Sequence, residues 1–405
     1  MRVMRVQVIL AIIVVIIVGL GVVQWARPVG QPVARAVIPT RTRWPGTLSM
    51  PWPPGVQAAA DVPGIGFLGR HGPTAPEPIG SVAKMMTALI VLAHHPLAPG
   101  SPGPSLTITP ADVAAYHRDA AAFQSVMPVQ AGERLSERTL LKGILVASGN
   151  NVATLLAQWG AGSTAAFAAE MNHKARAMGL HSTHYHGPSG LSNATVSTAW
   201  DQVRVAEALM RSPALAEMVA MPQMSVPHGG IVYNFNRVLG RGGVIGVKTG
   251  STVAGGASFI WAARQTIAGK SRIVYGGVVG QPPTAVHHQL RQALDDGLAL
   301  IKATSHAIVA RRVLSTGQTV GYWEMPWGSR VGLTATRNAS LLGWPGMTAK
   351  IRLELSPPVG VSRGVAAGTR VGTMVVSAGS QIRRVPVVTS GRVLPPSPLW
   401  RLTRL

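Results

Sequence analysis

The sequence predicts an α+β protein with three parts: an N-terminal transmembrane segment, a larger domain of helices packed on an antiparallel sheet, and a small C-terminal all-β domain. Three observations support this prediction. The first 26 residues are almost entirely apolar, the middle of the chain alternates between helical and strand periods, and the sequence beyond about residue 310 shows only the strand period. With 405 residues, the chain is long enough for two or three domains that each bury a core.

The N-terminal segment, residues 1–27, predicts a membrane anchor or a signal segment. Arg2 and Arg5 precede an uncharged run from Val6 to Ala26, which is long enough to span a bilayer. Positive charge before the run favours a cytoplasmic N-terminus and an exported remainder. A cleaved signal peptide is the alternative, but the nearest small-residue cleavage motif, at residues 34–36, lies well past the apolar run. We therefore expect an uncleaved anchor in the cell membrane, and a secreted protein if the segment is cleaved.

The rest of the chain divides by composition and by period. The Pro-rich residues 28–54 predict a linker, residues 55–303 a mixed helix and strand domain, and residues 316–396 the β domain. Within the mixed domain, apolar spacing and capping residues predict one helix that begins near Ser81 and three more over residues 136–147, 163–178 and 284–302. The strand period predicts strands over residues 244–249, 257–263 and 273–279.

Charge and composition exclude several classes of protein. The net charge of +23 arises from 37 basic against only 14 acidic residues, which favours anionic surfaces as partners. The arginines are scattered along the chain with no nucleic-acid-binding motif, so we expect no nucleic acid partner. Cysteine is absent, so thiolate chemistry and disulfides are excluded. The histidines at 181, 184 and 186 could suggest zinc, but nearby carboxylates are few, and we expect no metal or other cofactor.

Three short motifs carry chemistry. Ser81 and Lys84, three residues apart at a helix start, share one helix face, and a neutral lysine can activate a serine hydroxyl. Burial and a second cation, for which Lys248 is the candidate, would favour the neutral form of Lys84. Ser148, Gly149 and Asn150 fall between two predicted helices and offer a hydroxyl and an amide. Lys248, Thr249 and Gly250 lie on a predicted strand whose edge can pair with an extended peptide. The Lys248 ammonium and the Thr249 hydroxyl suit a terminal carboxylate.

The order of these motifs and the sequence around them resemble the serine D-alanyl-D-alanine carboxypeptidases, which are low-molecular-mass penicillin-binding proteins. Similar passages run from residue 55 to 303 and include 129–133, 171–175, 190–201 and 248–255. The β tail, with residues 367–372, looks like the C-terminal domain of that family. The resemblance implies a β-lactamase/transpeptidase-like catalytic domain. It also implies removal of the terminal D-alanine from peptidoglycan stem pentapeptides through an acyl-enzyme, with β-lactam antibiotics as covalent inhibitors.

The resemblance also implies a role for each motif residue. Ser81 would be the nucleophile and Lys84 the general base, with Ser148 and Asn150 as proton-relay and substrate-binding residues. Lys248, Thr249 and Gly250 would bind the substrate, the first two through its carboxylate, and the backbone N–H groups of Ser81 and Ser251 would form the oxyanion hole.

Two departures from the family pattern concern carboxylate recognition. Phe235 occupies the middle of an N-x-N motif where some members carry arginine, and Ile245 stands where aspartate is common. Arg237 or Arg241 could substitute for the missing arginine.

Two alternatives share the motifs. A class A β-lactamase uses a glutamate-activated water, but none of Glu170, Glu207 and Glu217 opens an E-x-x-L-N pattern. A catalytically inactive wall-binding scaffold is the other alternative, and the intact motifs argue against it.

Overall fold

A computed structural model describes residues 2–98, 100–282, 286–356, 358 and 360–404. Helices are spread along the whole described chain. They are α1 (Arg2–Ala26), α2 (Lys84–His94), α3 (Pro110–Ala121), α4 (Glu137–Leu145), α5 (Asn150–Ala161), α6 (Thr164–Ala177), α7 (Ala199–Met210), α8 (Pro213–Val219), α9 (Val286–Ala307) and α10 (Pro398–Thr403).

Strands fall into two groups along the chain. The first group, in its N-terminal two thirds, is β1 (Val33–Ala36), β2 (Arg41–Arg43), β3 (Gln57–Val62), β4 (Gly66–His71), β5 (Glu77–Pro78), β6 (Ser105–Thr107), β7 (Arg134–Ser136), β8 (Val196–Ser197), β9 (Gln223–Val226), β10 (Gly230–Tyr233), β11 (Val244–Thr252), β12 (Gly256–Ile267) and β13 (Lys270–Gln281). The second group is β14 (Val309–Leu314), β15 (Thr319–Glu324), β16 (Arg330–Ala335), β17 (Ala339–Gly343), β18 (Thr348–Leu355), β19 (Arg370–Ala378) and β20 (Gln381–Thr389).

The chain folds into two compact units, one of residues 47–309 and one that combines residues 1–46 with 310–405. The first unit contains a five-stranded antiparallel sheet in the order β11-β12-β13-β3-β4. Helix α9 packs on one face of this sheet and α7 on the other. A continuous apolar core joins the sheet to α2, α4, α5 and α7. Strand β11, which carries the third motif, lies at the edge of the sheet, as its proposed pairing with a peptide requires.

The predicted helices and strands of this unit are confirmed with small shifts at their ends. Ser136 caps α4 by accepting a hydrogen bond from the backbone N–H of Thr139, and Ser163 caps α6 in the same way. The second motif lies between α4 and α5, as predicted. The helix predicted over 284–302 begins at Val286, and its first two predicted residues lie outside the described part of the chain.

The second unit is built on a seven-stranded sheet in the order β1-β15-β16-β20-β19-β18-β2. Segment 28–54, predicted as a linker, therefore contributes an edge strand at each side of this sheet. The two strands are short, and the prolines at 28, 32, 39 and 45 lie outside them. An edge strand can be this short and can be flanked by proline, and three or four residues are too few to show the alternation by which a strand is predicted. Trp44, next to β2, is buried in the core of the same unit.

Removal of residues 1–46 is expected to destabilise the second unit and to leave the first unchanged. The deletion uncovers the edges of β15 and β18 and removes Trp44, and loss of a buried tryptophan side chain costs about 3–5 kcal/mol. Calorimetry of the truncated chain should show one transition at lowered temperature and one at the temperature measured for an isolated 47–309 fragment. A shift of the latter transition would contradict the independence of the two cores.

Candidate active site

Ser81 lies in a short 3₁₀ turn, Gly80–Ala83, that leads directly into α2. Lys84 is the first residue of that helix, so the two side chains lie on the same side of the turn. The Lys84 Nζ atom is 2.7 Å from Ser81 Oγ. Ser81 is half-buried whereas Lys84 is fully buried, which leaves the hydroxyl as the accessible member of the pair.

The Lys84 ammonium is surrounded by acceptors. Besides Ser81 Oγ, it donates to Asn150 Oδ1 at 2.7 Å and to the backbone carbonyl of Ser189 at 2.9 Å. Burial lowers the pKa of Lys84 well below its usual value, and the positive charge of Lys248 lowers this pKa further. Lys84 is therefore a primary amine whose neutral form is accessible and whose position is fixed on the serine hydroxyl.

Ser148 and Lys248 form a second buried pair beside the first. The Lys248 Nζ atom donates to Ser148 Oγ at 3.0 Å and to the carbonyl of Thr249 at 3.1 Å. Burial lowers the pKa of Lys248 to about 7. Ser148 adopts a φ of +58°, a left-handed conformation that is uncommon outside glycine and that directs its side chain into the site.

Asn150, the first residue of α5, joins three segments. Its Oδ1 atom accepts from Lys84, its Nδ2 atom donates to Gln124 Oε1 at 2.8 Å, and its backbone N–H donates to the carbonyl of Ser125 at 2.8 Å. The loop that follows α3 is thereby fixed to the motif residues. Sequence analysis placed Asn150 in the site but did not identify its bond to the lysine.

Strand β11 passes directly against the turn that carries Ser81. A Cβ atom on Gly250 would lie 3.1 Å from the Ser81 backbone nitrogen and 3.0 Å from that of Val82, so no side chain fits there. A Cβ atom on Gly80, whose φ is +56°, would lie 2.9 Å from the backbone nitrogen of Ser251. These contacts bring the backbones of Ser81 and Ser251 together, while Thr249 is buried beside them and Ser251 is exposed.

The structure thus gathers the predicted residues Ser81, Lys84, Ser148, Asn150 and Lys248 through hydrogen bonds, and Thr249, Gly250 and Ser251 through strand β11. Sequence analysis missed two contributors, the carbonyl of Ser189 and the side chain of Gln124. A backbone carbonyl leaves no trace in residue identity. Gln124 would have been found only by knowing how the α3 loop folds.

Arg237 and Arg241 lie elsewhere. Lys248 pairs with Ile260 across the sheet, so both side chains occupy the face packed by α7. The two arginines line a cavity of about 460 Å³ together with residues of α9, which packs on the opposite face. The hypothesis that one of them replaces the missing arginine in carboxylate recognition is therefore not supported by this geometry.

Comparisons with known proteins agree with the fold. The D-alanyl-D-alanine carboxypeptidase family, Peptidase S11, matches residues 67–276, which is just over half of the chain. The D-alanyl-D-alanine carboxypeptidase DacB2 of Mycobacterium tuberculosis is 33% identical over 233 residues, which cover 55% of this chain and 75% of that protein.

Two solved structures share the fold. Penicillin-binding protein 5 of Haemophilus influenzae superimposes with a TM-score of 0.58 at 20% identity, over 85% of this chain and 99% of that one. The DD-transpeptidase of Streptomyces K15 gives a TM-score of 0.54 at 26% identity, over 63% of this chain and 98% of that one. On the family match and the carboxypeptidase relative together, this chain belongs to the D-alanyl-D-alanine carboxypeptidase family of serine peptidases.

Proposed function

We propose that this chain removes the terminal D-alanine from peptidoglycan stem pentapeptides through an acyl-enzyme on Ser81. The observation that carries the proposal is the 2.7 Å contact between Ser81 Oγ and a fully buried Lys84 whose pKa lies well below its usual value. A lysine whose neutral form is favoured in this way can accept the serine proton, a role that an exposed, protonated lysine cannot fill.

In the acylation step, neutral Lys84 takes the proton of Ser81 as Oγ attacks the carbonyl carbon of the penultimate D-alanine. The adjacent backbone N–H groups of Ser81 and Ser251 stabilise the negative charge that develops on the carbonyl oxygen. The C–N bond then breaks, and the departing amine of the terminal D-alanine receives a proton relayed from Lys84 through Ser148. The products of this step are free D-alanine and an ester on Ser81 Oγ.

In the deacylation step, water attacks the ester carbon and gives one proton to neutral Lys84, which passes it to Ser81 Oγ. The C–Oγ bond breaks, Ser81 recovers its hydrogen, and the shortened peptide leaves with a new carboxylate. The Asn150 amide, which Gln124 and Lys84 hold in place, supports the acyl portion of the peptide in both steps.

Lys248 and Thr249 are suited to bind the carboxylate of the terminal D-alanine. The Lys248 ammonium already points at Ser148 between the two lysines, and an arriving carboxylate would favour its charged form. Gly250 leaves the edge of β11 open for the extended peptide. β-Lactam antibiotics would enter the same site and acylate Ser81.

The site geometry favours this function over the two alternatives. Among the described residues, the hydrogen-bond acceptors of Lys84 are a hydroxyl, an amide and a carbonyl, with no glutamate of the kind that activates water in class A β-lactamases. An inactive scaffold would have no need to bury two lysines at the cost of desolvation.

The N-terminal helix supports an anchored protein. Val3–Ala26 is long enough to cross a bilayer, and its most apolar 18-residue window has a mean hydropathy of 3.2. The alternative cleavage motif, residues 34–36, lies in β1 and pairs with β15. Cleavage after Ala36 would remove a strand from the folded sheet. We therefore place the peptidase outside the cytoplasmic membrane on an uncleaved anchor.

Replacement of the nucleophile tests the proposal directly. Ser81→Ala should abolish covalent labelling by a fluorescent penicillin and release of D-alanine from a pentapeptide. Lys84→Arg should be nearly as damaging, because arginine keeps the charge but cannot lose its proton in this pH range. The measurements are gel fluorescence and a D-alanine assay, with unchanged circular dichroism as the control for folding. Normal labelling of either variant would refute the corresponding role.

Lys248→Met should abolish turnover and yet stabilise the protein. The pKa of Lys248 is about 7 in the fold against 10.5 for an ordinary lysine, so between these values the unfolded chain binds more protons. The destabilisation by Lys248 is therefore complete below about pH 7 and vanishes toward pH 10.5. The variant should gain about 1–4 kcal/mol of unfolding free energy at pH 6 and lose that gain as pH rises. Lys270→Met, at the exposed first residue of β13, is the control and should show neither effect.

Membrane retention tests the anchor. The mature protein should keep residues 2–26 and remain with membranes in a high-salt wash, because salt screens attraction of the basic surface but not burial of a spanning helix. Intact mass spectrometry and fractionation provide the measurements. A mature N-terminus at Val37, or release by salt alone, would identify the segment as a cleaved signal.

A further inference from the structure

Phe123 occupies a position in the backbone that normally belongs to glycine. Helix α3 ends in a Schellman motif, in which the Phe123 N–H donates to the carbonyl of Ala120 at 3.0 Å and the Gln124 N–H donates to that of Asp119 at 3.0 Å. This motif requires a left-handed residue, and the φ of Phe123 is +54°. Glycine adopts this conformation freely, whereas a bulky side chain is strained in it.

The same chain uses glycine where other helices end in this way. Gly162 follows α5 with a φ of +76°, and Gly179 follows α6 with a φ of +69°. Phenylalanine at the end of α3 is therefore not explained by the requirements of the turn.

Packing does not explain Phe123 either. Its side chain is 99% exposed, more than any other large apolar side chain of the described residues, so it contributes nothing to the core. A strained backbone and an exposed aromatic ring are two separate costs at one residue. Costs of this kind concentrate at functional sites, where they are retained for a reason other than stability.

The position of Phe123 suggests that reason. Gln124, the next residue, accepts a hydrogen bond from Asn150 at 2.8 Å, and Asn150 in turn accepts one from Lys84. The backbone of Ser125 also bonds to Asn150. Phe123 therefore projects into solvent from a segment that is fixed to the acylation site, one residue from a direct contact.

We propose that Phe123 forms an apolar subsite at the mouth of the active site, which binds the acyl portion of the substrate. This inference rests on the proposed function. The leaving group is a single residue whose carboxylate lies at Lys248 and Thr249, so it is too short to reach beyond Asn150. The acyl portion continues for several residues, and its apolar groups, or the aromatic side chain of a penicillin, can cover the exposed ring.

The experiment compares two acylating agents on the full-length chain. Benzylpenicillin carries an aromatic side chain on its acyl portion, and 6-aminopenicillanic acid has none. Phe123→Gly should lower the second-order acylation rate constant for benzylpenicillin by about three- to tenfold, the range expected for one aromatic contact, and should lower the ratio of the two rate constants. Phe123→Tyr should keep the ratio of the unmodified chain.

Ala268→Gly is the matched control for strain. Ala268 also has a positive φ, +49°, and is exposed. It lies in the turn between β12 and β13, eight residues after Ile260, the residue that pairs with Lys248. Both glycine variants should fold, since glycine suits both backbones, and thermal unfolding will verify this. Only the variant at 123 should change the ratio.

The outcomes separate the two hypotheses. An unchanged ratio in Phe123→Gly, or an equal change in Ala268→Gly, would overturn the subsite while leaving the peptidase intact. Failure of both penicillins to acylate the unmodified chain would instead overturn the proposed function.

Discussion

The active site depends on the burial of two lysines side by side. Lys84 and Lys248 are almost completely removed from solvent, and the charge of one lowers the pKa of the other. Two cations in one buried region are unfavourable, so at least one is driven toward its neutral form. In the proposed mechanism, this electrostatic conflict gives Lys84 the neutral form that it needs to activate the Ser81 hydroxyl. The surrounding structure has to hold the two amines at a fixed separation and keep water away from them.

Backbone geometry supplies that constraint. Gly250 and Gly80 allow β11 and the Ser81 turn to approach more closely than side chains would permit. The left-handed φ of Ser148 turns its hydroxyl toward Lys248 instead of toward solvent. Asn150 then joins the α3 loop to Lys84. Each of these features would be unfavourable in an isolated segment. The free energy gained by packing α2, α4 and α5 on the sheet compensates for their cost.

Sequence reasoning found what depends on side-chain identity and local period. The helices that begin after Ser136 and Ser163, the inter-helix position of Ser148 and the strand that carries Lys248 all follow from capping residues and alternation, and the structure has them. It could not find the Ser189 carbonyl, since any residue supplies one. It interpreted residues 33–43 as a linker, because an edge strand of three or four residues is specified by its partner and not by its own pattern. Arg237 and Arg241 are close to the third motif in sequence, but their position beside α9, on the face of the sheet opposite to the Lys248 side chain, depends on long-range packing.

The same long-range pairing links the proposed anchor to the second unit. The segment that follows α1 pairs with β15 and β18 at the two edges of one sheet, so the chain enters folded structure within ten residues of the end of α1. At the end of α1, Gln24 bonds to the backbone carbonyl of Arg404, and the Arg401 guanidinium lies 5.2 Å from the ring of Trp25. Tryptophan and arginine are the residues that favour a membrane–water interface. The C-terminal helix α10 and the residue after it therefore meet the C-terminal end of α1, and the β unit is attached to α1 there by hydrogen bonds as well as by the covalent chain.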